Sequence, residues 1–303
     1  MMRGTRVAIP LFDFGAGFGS INVAANAQGL ALERLYGRPI LSPFHAAFSS
    51  GGLAGAGLGA LAGGLGVAPR AHFGALALVL ALFALVTRPR LLPRAADAPE
   101  RAVTLVRPPR TLLVLGAAAF CTMLAEGAAA DWSAVYLSRS LGAAAALAAL
   151  AYTAFSLTMV VSRTVGDRLN VRFGPVSLVR GGGLPAAGGL AAALVEGSTA
   201  AALAGFAAMG AGLGVVVPVL FRAAGSTRGV SAGVGVAAVS TIGWLGFLAG
   251  PPAIGFAAGA VGLRSALGLV VLATVLLALL ARSAGAERRS ELRGRVGIVE
   301  STE

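Results

Sequence analysis

Nine apolar stretches, near residues 7–32, 43–66, 71–87, 111–137, 141–162, 175–195, 199–221, 230–257 and 262–281, fill almost the whole of this 303-residue chain. Each is about as long as a bilayer crossing, because a helix needs roughly 20 apolar residues to cover a hydrocarbon core of about 30 Å. Lipid cannot bond to open backbone groups, so only helices and closed barrels cross it. Barrel strands would be about ten residues long and would alternate polar with apolar side chains. These runs are longer, continuous and rich in Ala, Leu and Gly. The chain therefore reads as an all-α, polytopic membrane protein of about nine transmembrane helices. A signal peptide fits the start less well. Ala25-Asn26-Ala27 has the small-x-small form, but the run before it is long and holds Asp13, Gly15, Gly17 and Gly19.

Hydrophobic residues make up 57% and charged residues 12% of the chain, against about 25% charged in soluble domains. A net charge of +12 would suggest nucleic acid in a soluble chain. Here the charges lie between the apolar runs and in the tail, so membrane orientation and anionic lipid headgroups account for them better. All 24 basic residues are arginine, which together with the Ala and Gly content points to a GC-rich bacterial genome. Cys121 is the single cysteine and falls inside a predicted helix. That leaves no disulfide framework and no thiolate metal cluster, and no cofactor is expected.

Eighteen of the arginines fall on one side of the alternating loops, from Arg34 and Arg38 to the tail arginines at 282–295. Arg3, Arg6, Arg70, Arg139 and Arg264 fall on the other, and Arg163 lies inside a span. Short arginine-rich loops stay in the cytoplasm. The C-terminus is thus expected inside a bacterial inner membrane. The odd helix count places the N-terminus outside, an awkward start that suggests missing helices upstream.

One true linker is visible, at 89–109, with five prolines and a cluster of arginines. It separates residues 1–88, with three predicted helices, from a six-helix unit at 110–281, which is followed by a tail at 282–303. Several local patterns accompany this plan. Gly15-Ala-Gly-Phe-Gly-Ser-Ile-Asn22-Val-Ala-Ala-Asn26-Ala-Gln28 is followed by Glu33-Arg34 and Gly37-Arg38-Pro39. Phe44-His45 precedes Ser49-Ser50-Gly51-Gly52. Ala125-Glu126-Gly127 precedes Ala130-Asp131-Trp132-Ser133, and Arg163-Thr-Val-Gly166-Asp167-Arg168 precedes Arg172 and Gly174. Gly246-Phe-Leu-Ala-Gly250-Pro251-Pro252-Ala-Ile-Gly255 completes the set.

These segments resemble helices four, five, seven, the loop after eight, and eleven of the major facilitator superfamily, in a bacterial subgroup related to sugar permeases. That family is built from three-helix repeats, two per half, so the resemblance implies a major-facilitator-like fold lacking helices one to three. It also implies that Asn22, Asn26 and Glu126 line a central cavity. Arg163-Thr-Val-Gly166-Asp167-Arg168 is similar to the family's G-x-x-x-D-R motif, and by that resemblance these residues would form a charged clasp locking one state of the cycle. A plain orientation signal is the alternative for these charges.

Glu126 lies near mid-helix, where a carboxylate costs about 2.5–3.5 kcal/mol on insertion scales. It should face a cavity or a partner, in proton coupling, in solute binding, or as a protonated acid bonded to a neighbouring helix. Asp131 is five residues on, about 140° around the helix, beside Trp132 and Tyr136 at the expected outer interface. Asn22 and Asn26 are four apart and share a face. Their amides suit sugar-like hydroxyls or helix–helix bonds, with Gln28 in the same polar patch. Trp244, expected mid-membrane, stacks on a solute ring or fills space. His45, at a helix start, reads as structural or solvated. Gly51, Gly55, Gly59 and Gly63 form a small-residue stripe suited to close helix packing. Pro251 and Pro252 mark a hinge through the carbonyls they leave unbonded.

The chain thus reads as a secondary transporter, symporter or antiporter, moving a small-molecule substrate by alternating access, with membrane lipid and no nucleic acid as its other partner. No G-x-x-x-x-G-K-[ST] loop for ATP is present. The alternatives are an inactive truncated transporter or misassigned start, and an intramembrane enzyme using Glu126, Asp131 or His45. Against the enzyme, no H-E-x-x-H occurs.

Overall fold

The computed structural model describes residues 2–93 and 108–285. The linker centre, the tail from 286, the side chains of Arg3, Arg6 and Asp13, and Gly63 lie outside the described residues. Among these residues the chain is helical, with no strand. The first three helices are α1 (Met2–Tyr36), α2 (Leu41–Gly64) and α3 (Pro69–Thr87). Then come α4 (Arg110–Val135), α5 (Ala145–Phe173), α6 (Pro175–Glu196), α7 (Thr199–Leu213), α8 (Val216–Gly225), α9 (Ala232–Val261), α10 (Leu263–Ala266) and α11 (Gly268–Leu280). Seven segments are long and apolar enough to cross a membrane, α7 with α8 and α10 with α11 each counting once. The other two expected spans, α1 and α2, are helices of 35 and 24 residues.

Local chemistry sets the ends. Proline opens α3 and α6, where its missing N–H costs nothing. The Ser198 hydroxyl accepts from Ala201 N at 3.2 Å and caps α7. Gly174, at φ 78°, joins α5 to α6 with no further linker residue, a conformation that glycine adopts without steric cost. α5 runs eleven residues past the expected end of its span. Hydropathy ends that span at Arg163. The helix continues because Arg163 and Asp167 are bonded inside the bundle rather than released to water.

α4 forms the centre of the larger helix group, against α9 and α11, while α6 packs on α7 and α11. The side chains of Leu112, Leu115, Tyr136, Phe206, Met209 and Leu220 are fully buried between these helices. The α4–α9 seam depends on glycine. Gly246 sits against the carbonyl oxygen of Phe120, and a Cβ on Gly127 would lie 2.9 Å from Phe247 O. Phe247 O is one of the carbonyls that Pro251 and Pro252 deprive of an N–H partner. α9 runs through both prolines as one helix. Close packing on α4 and the bond from Trp132 Nε1 to Pro251 O (3.1 Å) brace the position. α5 is zipped to α7 by two side-chain bonds one turn apart, Thr158 Oγ1 to Ala207 O (2.8 Å) and Ser162 Oγ to Ala211 O (2.6 Å). The outside of the bundle carries exposed Leu184, Val195, Leu248, Phe256, Leu272 and Leu279. An apolar coat of this extent belongs against hydrocarbon, and the protein is a multi-pass membrane protein.

The first three helices attach differently. α2 packs on α5 and α1 on α9, whereas α3 buries none of its residues. The small-residue stripe does not pack either. A Cβ added at Gly51, Gly55 or Gly59 would meet open space. The opposite face of α2, carrying Ser42, His45 and Ser49, is the one turned to α5.

Candidate functional site

Between α1 and α2 on one side and α4, α5, α8 and α9 on the other lies a cavity of about 540 Å³. Each helix contributes to it through residues one or two turns apart. Aromatic rings make much of the wall. Trp244 meets Phe18 edge-on at 5.3 Å between centroids and Phe247 at the same distance, so it is held by its neighbours while bordering the space. Tyr152 and Phe155 stack at 6.0 Å on the α5 side.

The polar wall is a chain of bonds. Glu126 of α4 pairs with Arg163 of α5, Oε1 to Nη2 at 3.4 Å. Arg163 Nη1 donates to Ser49 Oγ of α2, and its Nε donates to Gly214 O, at the break between α7 and α8, at 3.3 Å. One guanidinium thereby touches two other helices and a helix break. Arg163 is only 5% exposed. It is held inside the bundle, and ten further helical residues follow it, about 15 Å of rise. Asn22 lines the cavity and its Oδ1 accepts from Asn26 Nδ2 at 3.3 Å. Asn26 is buried, and the same Nδ2 also donates to Asn22 O at 2.8 Å. Gln28 lines a second cavity, of about 510 Å³, together with Asn22 and Asn26. Its amide makes a two-way pair with the backbone of Leu92, tying the start of the linker to α1. Asp131 is exposed and borders a separate cleft with Trp132 and Pro251, away from Glu126. Among the described residues no group of three or more His, Cys, Asp or Glu gathers to hold a metal.

A second cluster closes the end of the cavity where α1 stops and α2 starts. The first N–H groups of a helix have no partner within it. Here Glu33 Oε2 accepts from Ile40 N (2.9 Å) and Leu41 N (3.1 Å), and Asp167 Oδ2 accepts from Ser42 N (2.9 Å). Asp167 Oδ1 also accepts from Ser42 Oγ at 2.8 Å. Two carboxylates, from α1 and α5, thus cap α2 at its positive end, where the helix dipole favours anions. Arg222 of α8 bridges them: Nη2 lies 2.7 Å from Glu33 Oε2 and 2.9 Å from Asp167 Oδ1, and Nε bonds Glu33 Oε1. Arg34 adds a bond to Gly225 O at 3.0 Å. Gly166 allows the approach, since a Cβ there would lie 2.8 Å from Ser42 Oγ.

The sequence motif placed Arg163, Asp167 and Arg168 in one clasp. The structure divides them. Asp167 joins the clasp, Arg163 joins the cavity, and Arg168 is exposed. Glu33, Ser42, Ser49 and Arg222 were missed. Glu33 carried a signal, being an acid at the end of a span on an arginine-rich side. Arg222 carried none, since an arginine at a span end is also an orientation signal.

No family model matches the chain. A transporter of Yersinia pestis described as MFS-type and uncharacterized is 37% identical over 277 residues, covering 91% of this chain and 72% of its own. The chain belongs to the major facilitator superfamily. Membrane protein MosC of Rhizobium meliloti is 36% identical over 270 residues, 88% of this chain and 65% of its own. An uncharacterized transporter of Sinorhizobium fredii is 35% identical over 279 residues, 91% of this chain and 73% of its own. The chain thus spans roughly two thirds to three quarters of these relatives. Among solved structures, a single-residue variant of FucP, the fucose:proton symporter of E. coli, superposes with a TM-score of 0.71 at 19% identity, over 93% of this chain and 78% of that one. FucP in an outward conformation gives 0.61 at 18% identity, over 71% and 54%. At that identity the likeness is one of fold: this superfamily member shares the FucP helix arrangement.

Proposed function

We propose that the chain moves a small polyhydroxylated solute across a bacterial inner membrane by alternating access, with Glu126 coupling the movement to protons. The observation that carries this reading is the Glu126–Arg163–Ser49 chain facing an aromatic-walled cavity between two helix groups. Aromatic faces suit the apolar side of a ring solute, and guanidinium and amide groups suit hydroxyls. A proton on Glu126 removes the charge that holds Arg163 Nη2, freeing that donor for the solute. The fucose carried by FucP falls in this solute class.

Alternation follows from the clasp. Glu33, Arg222, Asp167 and the start of α2 close one end of the cavity, and parting them opens it. The domain reading places residues 1–88 in one rocking unit and 110–281 in the other, joined at 89–109. The arginine excess puts the clasp and the C-terminus in the cytoplasm. A reporter fused after Glu303 should score as cytoplasmic, and a periplasmic signal would reverse that orientation.

The test of function is reconstitution with L-fucose, D-glucose and myo-inositol as probes, under an imposed pH gradient. Wild type should accumulate at least one probe. Glu126→Gln keeps shape but cannot titrate, and should lose pH-driven accumulation while retaining probe exchange. Unchanged pH dependence in Glu126→Gln would remove Glu126 from the coupling.

A further inference from the structure

Three polar side chains stand at successive turns on one face of α2: Ser42, His45 and Ser49. The outer two are committed. Ser42 is bonded to Asp167, and Ser49 accepts from Arg163. His45, between them, is different. It is 9% exposed, its ring packs at 5.7 Å on Phe221, and its Nε2 is buried with no hydrogen-bond partner among the described residues. Burying a polar atom without a partner costs free energy that a Phe or Leu at the same place would not incur. The same side chain borders the central cavity together with Asn22, Ser49, Glu126 and Arg163. By sequence alone this histidine reads as structural or solvated. The structure shows a polar group that is unsatisfied, enclosed, and on the wall where a solute would lie.

We infer that His45 is a solute-contacting, specificity-determining residue, whose Nε2 exchanges a hydrogen bond with a hydroxyl of the bound solute. This rests on the reading of the cavity as a site for polyhydroxylated solutes. The imidazole extends the polar wall from Ser49 toward the clasp end. Because Nε2 gains a partner only when the cavity is filled, the residue favours the loaded protein and works against the stability of the empty one.

Binding of L-fucose, D-glucose and myo-inositol to the purified whole chain tests this, with three variants compared. For whichever probe wild type binds, His45→Phe, which keeps the ring and its contact with Phe221, should weaken binding about tenfold. His45→Gln, which keeps an amide nitrogen near the Nε2 position, should stay within about threefold of wild type. The empty His45→Phe protein should melt no lower than wild type, since it loses an unsatisfied group. A lower melting point combined with unchanged affinity would make His45 structural and overturn the inference. A second readout needs no variant at the site. The chain has two histidines, His45 and His72, so labelling with ring-[15N]histidine gives two pairs of imidazole signals, assigned with the third variant, His72→Gln. The bound probe should move the His45 signal and leave that of His72. A stationary His45 signal at saturating probe would overturn the inference while leaving the cavity reading intact. Failure of wild type to bind all three probes would overturn the cavity reading itself.

Discussion

α4 through α11 and α1 through α3 are both apolar helix groups, yet they are held in place by different forces. In the larger group, two thirds or more of the most apolar stretch of Arg110–Ser140 and of Thr199–Gly225 is buried inside the molecule. Glycines bring α4 and α9 into backbone contact, and hydroxyls zip α5 to α7. In the smaller group, α3 buries nothing and the glycine face of α2 meets open space. Beside apolar contacts such as Leu30 and Leu41 in the core and Phe18 on Trp244, the joints between the groups carry polar and ionic contacts: Asp167 and Glu33 on the start of α2, Arg222 between them, and Arg163 on Ser49. Apolar packing in a membrane is continuous and hard to separate and re-form. Ionic contacts at helix ends have discrete made and broken states, which rigid-body rocking requires. Under the proposed alternating access, the larger group stays together and the joint between groups comes apart.

The most severe disturbance to this contrast is Arg222→Ala. Glu33 and Asp167 are each 11% exposed, and without the guanidinium they are left as adjacent buried carboxylates. Removing one partner of a buried ionic group costs about 3–5 kcal/mol. Thermal unfolding of the purified variant should show a larger loss than any substitution in the α4–α9 seam or on the α2 glycine face. A melting point equal to wild type would mean that the clasp does not hold the groups together. Overpacking the α4–α9 seam comes next. Gly246→Leu drives a side chain into Phe120 and should cost about 1–3 kcal/mol by the same measurement. The smallest change sharpens the contrast from the other side: Gly55→Leu enters open space and should stay within about 0.5 kcal/mol of wild type. A large loss at Gly55 would show that the α2 glycine face is packed after all.

The membrane class and helix placement were legible because a bilayer imposes one length and one polarity on every crossing. α9 and α6 fall close to their expected bounds for that reason. That Glu126 faces a cavity and a partner was legible for the same reason, since an acid at that depth must be compensated. Its partner was not legible. Arg163 stood close to the expected end of its span, and hydropathy cannot distinguish a helix that stops there from one that continues for another ten residues. The clasp was legible only at Asp167, through its motif. Glu33, Ser42 and Arg222 lie far apart in sequence and meet only once α1, α2, α5 and α8 converge. His45 was missed because burial without a partner is a property of the packed structure, with no trace in residue type or spacing. Pro251 and Pro252 do not break α9, because the neighbouring α4 glycine lets the freed carbonyl region pack.

The separable joint is tested most directly by the distance across it. Spin labels at Arg38, in the turn before α2, and at Arg228, in the turn after α8, stand on opposite sides of the clasp, and both positions are exposed. With Cys121 replaced by alanine, double electron–electron resonance in lipid nanodiscs should give one short, narrow distance distribution in the otherwise native protein. Asp167→Asn weakens the link to Arg222 and to the start of α2, and should add a second, longer population. An unchanged single distribution in Asp167→Asn would contradict a clasp that holds one state of the protein closed.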